Sequence, residues 1–243
     1  MSDSAKARIA IVAALEREVR PLVRRWQAVE REYSGRRFKF FAQEDAVVVC
    51  GGMGAEAGRR AAEAVIALYA PQIVYSAGFA GALDPELVAG AVMRPARVVN
   101  AGDGSSVRVN GGKGVLVTFG MVASAEQKAN LRESFAAQAV DMEAAAVARA
   151  AEGRGIRFAA VKAISDGADF TFPAMQRFVD SAGKFSEARF AWYAAWRPWL
   201  WGRVMRMARD SSHAAEALCE QLQAILLDEA AEDPAKKEAV EGR

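Results

Sequence analysis

The sequence has one histidine, His213, and only two cysteines, Cys50 and Cys219, in 243 residues. Two thiols cannot build a disulfide framework or a four-ligand zinc site. One imidazole removes most metal sites and argues against a Ser-His-Asp triad. Charge or glycine breaks every apolar run before the about 20 residues needed to cross a bilayer. The segment 1–8 is short and polar, and Glu16 and Glu18 interrupt the apolar run behind it. That is not a signal-peptide pattern, so the cytoplasm is the expected location. Net charge is small too: 32 Lys and Arg against 30 Asp and Glu leave +2. No basic field points to nucleic acid as a partner. What is present is globular, with 52% apolar and 26% charged residues, enough for one sizeable core. Chemistry must then run on carboxylates, hydroxyls, Lys, Arg and backbone, and no cofactor or metal is expected.

Residues 8–14 are short, apolar and β-branched and read as a buried strand, followed by a helical pattern over 15–26. Residues 38–42 and 46–50 read as a strand pair. Gly51-Gly52-Met53-Gly54 opens a helix to about Tyr69, with Ala61, Ala62, Val65, Ile66 and Tyr69 on one face. Residues 72–76 predict a strand that closes in a turn at 77–81. Residues 92–100 and 114–119 predict strands on either side of a glycine-rich loop or hairpin tip. Helices are predicted over 124–135 and 141–152, and a strand over 157–164 that ends in Ser165-Asp166-Gly167. This alternation predicts an α/β fold: a single domain with a mixed central sheet flanked by helices. From Pro173 the chain is helical in character. The expected organisation is an α/β core over 1–172, a helical C-terminal extension of the same domain over 173–227, and a charged tail over 228–243.

In such sheets ligands collect at the carboxyl ends of strands. Three polar clusters fall there: Glu16 with Glu18, the turn at 77–81, and Ser165 with Asp166. Gly51-Gly52-Met53-Gly54 lacks the Gly-Lys-Ser/Thr of a Walker loop and does not fit GxGxxG, so it reads first as a tight turn. Asp141-Met142-Glu143 suits a helix start through the macrodipole, and a carboxylate there can also accept two hydrogen bonds from a ribose diol. Asp166 reads as a turn cap, or, facing a crevice, as an acid whose burial favours the neutral form that protonates a leaving group. Glu18 reads equally as part of a solvated helix face beside Glu16, Arg17 and Arg20.

Order decides among these readings. Ala14-Leu15-Glu16-Arg17-Glu18-Val19 comes first, then Ala77-Gly78-Phe79-Ala80-Gly81-Ala82-Leu83-Asp84. Val140-Asp141-Met142-Glu143-Ala144-Ala145-Ala146 and Ala163-Ile164-Ser165-Asp166-Gly167-Ala168-Asp169 follow. Together, over 8–169, they resemble the purine nucleoside phosphorylase and nucleosidase superfamily, and most closely the 5′-methylthioadenosine/S-adenosylhomocysteine nucleosidases. The resemblance implies that Glu18 activates the attacking water. It implies that Glu143 grips the ribose hydroxyls with Met142 packed on the sugar. Asp166, supported by Ser165, would protonate or hydrogen-bond the purine N7, and the purine would lie against 120–123, including Met121 and Val122. Two substrate-facing positions depart from the pattern: Phe79 stands where a serine is usual, and Lys162 where an arginine is usual. No set of arginines is evident at the first glycine turn to hold phosphate. These departures favour hydrolysis of a 5′-modified adenine nucleoside. A phosphate-dependent phosphorylase and a catalytically silent nucleoside-binding protein are the alternatives. The chemistry is self-consistent, because purine–sugar cleavage needs one acid and one base and no metal.

Residues 189–209 carry Trp192, Trp196, Trp199 and Trp201 with Phe190 and Tyr193, five arginines and no acid. The first three tryptophans share a helical face, and Pro198 is expected to kink it. A core-covering helix or a subunit interface accounts for the stripe; so does a helix at a lipid headgroup boundary. With Phe172-Pro173 and Phe178-Val179-Asp180, the segment resembles the hopanoid-associated branch of the superfamily, which removes adenine from an adenosine joined through C5′ to a triterpenoid. That resemblance implies a wide apolar 5′ pocket. A peripheral contact with the inner membrane face through 189–209 and a homodimer are also expected.

Overall fold

Strand β1 (Ile9–Ala13) is buried along its whole length, as a parallel strand covered on both faces must be. Its side chains divide by the pleat. Ile9, Ile11 and Ala13 face one apolar cluster, and Ala10 and Val12 face another. The computed structural model describes residues 7–170, 178, 186, 189, 190, 193 and 198–231. The strands that follow are β2 (Gln27–Tyr33), β3 (Arg36–Gln43), β4 (Ala46–Cys50), β5 (Ile73–Ala82), β6 (Val92–Met93) and β7 (Arg97–Asn100). Then come β8 (Ser106–Arg108), β9 (Val115–Thr118), β10 (Ala139–Asp141) and β11 (Arg157–Asp166). The helices are α1 (Glu16–Val23), α2 (Ala55–Tyr69), α3 (Ala125–Phe135), α4 (Ala144–Glu152) and α5 (Pro198–Ala231).

Among the described residues the strands form one 11-stranded mixed sheet, in the order β2-β3-β4-β1-β5-β10-β9-β7-β8, with β11 against β5 and β6. One face packs on α1 and α5 through Val19, Leu22, Leu218 and Leu222. The other packs on α2 and α4 through Ala61, Ala62, Val65 and Val147. The small side chains facing α4 let these helices lie close. Helix α5, about 51 Å long at 1.5 Å per residue, buries Ala214, Leu218, Leu222 and Ile225 at helical spacing. Among the described residues no helix is long and apolar enough to cross a membrane.

Several sequence expectations are corrected here. Residues 77–81 are not a turn. They belong to β5, which pairs β1 as far as Ser76, then β10 at Gly81 and Ala82, and β11 throughout. Pairing with β11 keeps the segment in the sheet even though Gly78 has a positive φ. The register of β11 on β5 slips between Ile164 and Asp166, which leaves one extra residue, Ser165, in β11. Asp141 ends strand β10 and does not open a helix; Glu143 is the cap of α4. The predicted strand over 92–100 is two short strands, and the loop after it carries β8, paired antiparallel to β7. Strand β2 was not expected. Helix α5 is described from Pro198 onward, and the expected kink there falls on residues 194–197, outside the described residues. Trp192 and Trp196 lie outside the described residues, as does the side chain of Trp199.

Candidate active site

The carboxyl ends of β1, β5, β10 and β11 meet at a cavity of about 950 Å³, near the upper end for small-molecule sites. Glu18, Phe79, Met121, Val122, Met142, Glu143, Ser165 and Asp166 all line it. Lys162 does not. It lies behind the wall, 1% exposed, with its ammonium 2.9 Å from Asp141.

Glu18 sits in the first turn of α1 and is buried. Its Oε2 accepts a hydrogen bond from the Leu15 N–H at 3.2 Å. Burial raises its carboxyl above the ordinary range; the Leu15 N–H and the Lys162 charge oppose this without cancelling it. Gly78 makes the space. Its φ is +144°, and a Cβ there would stand 2.8 Å from Glu18 Oε2.

Glu143 caps α4 from the end of β10, and its Oε1 accepts from the Gly54 N–H at 2.6 Å. That bond ties the glycine turn at 51–54 to the cavity wall. Burial, with the Asp141 charge adding to it, pushes the Glu143 carboxyl up to about 7. Asp141 itself, wholly buried, accepts from Thr118 Oγ1 at 2.6 Å, from the Ala144 N–H at 2.8 Å and from Lys162. Burial works against the Lys162 charge, but Asp141, Glu143 and Glu18 outweigh it, so the ammonium titrates above its usual range. A buried cation thus underlies two carboxylates of the cavity, at the position where the sequence motif has lysine in place of arginine.

Asp166 differs from expectation. Its side chain is 26% exposed, not dry, and it is ion-paired with Lys128, which is 4% exposed. Ser165 Oγ donates to the other oxygen, Oδ1, at 2.7 Å. The Lys128 ammonium also donates to the Gly167 carbonyl at 2.7 Å. Lys128 was missed in the sequence because a lysine on a polar helix reads as solvated. Its place follows from the capping box at the head of α3, where Ser124 and Gln127 bond reciprocally. A second residue escaped notice: Arg36 of β3 reaches the glycine turn and donates to the Gly51 carbonyl at 3.1 Å. So one arginine does come to that turn, committed to a backbone carbonyl.

Away from the carboxylates the cavity turns apolar. Leu15, Met53, Phe170, Val204 and Met207 pack around Phe178 and Phe190, and most of them line the same cavity. The chamber therefore has a charged end on the sheet and an apolar end beneath α5.

The model of the phosphorylase superfamily matches residues 8–117 and 112–191. Among solved structures, the chain is similar to the 5′-methylthioadenosine/S-adenosylhomocysteine nucleosidase of Helicobacter pylori. The TM-score is 0.69 at 19% identity, over 92% of this chain and 99% of that one. It is similar to the futalosine hydrolase of the same organism (TM-score 0.64, 19% identity, 91% and 98% covered). The nucleosidase of Colwellia psychrerythraea 34H in complex with adenine aligns with a TM-score of 0.60 at 22% identity, over 66% of this chain and 83% of that one. No curated protein matches the chain.

Proposed function

The chain belongs to the phosphorylase superfamily, and from that premise we propose that it hydrolyses the N-glycosidic bond of an adenine nucleoside modified at C5′. One observation carries the reading: Glu18, Glu143 and Asp166, from three separate strand ends, line one cavity. In the proposed reaction Glu18 takes a proton from water as the water oxygen bonds to C1′. The C1′–N9 bond breaks and its electron pair passes into the purine. Asp166 delivers a proton to N7. The products are free adenine and a ribose with an anomeric hydroxyl, and solvent returns the proton from Glu18 to Asp166. Glu143 holds the ribose diol through its carboxylate, a form that the Lys162 charge behind it favours against the effect of burial. An Asp166 carboxylate also accepts from an exocyclic amine, which favours adenine over a 6-oxopurine.

The 5′ substituent in this reading is large and apolar, in its specific form a hopanoid tail. Met53, Phe79, Phe190, Val204 and Met207 along the chamber support that. Contact of the outer face of α5 with a membrane belongs to the same proposal: Trp201 and Met205 are exposed there beside Arg206 and Arg209. The test is a panel of adenosines graded by the length of an apolar 5′ group, with and without phosphate, read by free adenine and by the sugar product. Free sugar in phosphate buffer, with rates that hold or rise as the group lengthens, is the expected result. Strict phosphate dependence would assign the chain to phosphorolysis, and absence of base release would leave it a binding protein.

A further inference from the structure

Lys128 is a buried charged group that the proposed reaction does not use. It comes from α3, outside the four sequence motifs, and its ammonium faces three oxygens: Asp166 Oδ2, the Gly167 carbonyl at 2.7 Å and the Phe170 carbonyl at 3.5 Å. Three acceptors match its three N–H groups, which is what a buried ammonium needs to stay charged. The pair occupies a prepared slot. A Cβ on Gly81 would stand 3.0 Å from Asp166 Oδ2 and 3.2 Å from Lys128 Nζ. The glycine at that point of β5 leaves room for the pair without displacing either side chain. One cation therefore fixes the carboxylate and also the turn after β11 that leads to Phe170 in the cavity wall.

We propose that Lys128 is the positioning residue of the leaving-group acid: paired with Asp166, it aims the carboxyl into the cavity and pins the turn after β11. The inference rests on the proposed function, in which Asp166 must carry a proton when the purine leaves. One Asp166 oxygen is held by the Lys128 ammonium and the other by the Ser165 hydroxyl, so the two donors together fix the plane of the carboxyl.

The test is kcat and KM for adenine release from adenosine and its 5′-alkylthio derivatives, in wild type and in Lys128→Met, Lys128→Gln and Lys128→Arg. In Lys128→Met kcat falls at least about tenfold while KM stays within about threefold of wild type, because the acid is misaimed and the nucleoside is still held. Lys128→Gln shows the same split and carries the test if Lys128→Met does not fold. Lys128→Arg, which keeps a cation beside Asp166, recovers most of kcat. A folded Lys128→Met or Lys128→Gln enzyme with wild-type kcat, or one in which kcat and KM worsen together by the same factor, overturns the proposal. So does Lys128→Arg behaving like Lys128→Met. A wild type that frees no adenine refutes the proposed function instead, and the two failures are told apart in one experiment.

Discussion

Replacing Lys162 by methionine isolates the energetics of the buried charge. The ammonium lies 2.9 Å from Asp141 with side chains 1% and 0% exposed, so solvent cannot screen what remains. Methionine fits the space but leaves the Asp141 carboxylate with only the Thr118 hydroxyl and the Ala144 N–H as donors. Breaking such a pair from one side costs about 3–5 kcal/mol. In a chain of this length that lowers Tm by roughly 6–20 °C. Adding Asp141→Asn removes the charge but turns amide hydrogens toward a donor, so it restores only about 1–2 kcal/mol. The assay is urea unfolding of the four members of the cycle. A loss below about 1 kcal/mol for Lys162→Met, or single-variant losses that simply add in the double variant, refutes the account of a desolvated, mutually dependent pair.

Three further outcomes are expected. With its carboxyl raised to about 7, Glu143 contributes stability below pH 4.5 that is lost as pH climbs toward 7, so Glu143→Gln flattens that part of the stability–pH curve in denaturant titrations. Gly78→Ala meets Glu18 Oε2 and an unfavourable φ together; it costs about 1–3 kcal/mol of stability and reduces base release more than adenine binding, measured by calorimetry beside kcat. Asp166→Asn lowers kcat by ~10² to 10⁴, and near-normal turnover would place the acid elsewhere.

Legibility in the sequence followed the range of the interactions involved. β1 was readable because a strand buried on both faces is a run of β-branched residues. Ser165-Asp166 was readable because polar residues abruptly end such a run. β2 was not: Glu30, Arg31 and Glu32 make it look like loop, and its pairing with β3 at the sheet edge is what extends it. The glycines of β5 signal a turn locally, and only the β11 partner overrides them. Lys128 illustrates the limit for the site. Its contacts are 38 and 39 residues away, and nothing in the spelling of α3 distinguishes it from a surface lysine. The tryptophan stripe was legible as composition, yet of its four tryptophans only Trp201 has a described side chain, and it is exposed.

The extra residue in β11 makes Asp166 a matter of counting. Opposite β5, Ile164 pairs with Ala80 and Asp166 with Gly81, with Ser165 looped between them. That slack is occupied by Ser165, whose hydroxyl turns back to donate to Asp166 Oδ1. A single-codon deletion at Ser165 would bring Asp166 directly after Ile164, still opposite Gly81, with every ladder bond up to Ile164 in place, but the carboxyl would lose that donor and the bend that the extra residue puts into the strand. The length of this segment is therefore as much a part of the site as its spelling, and relatives of this scaffold can be sorted by it before any of their side chains is compared.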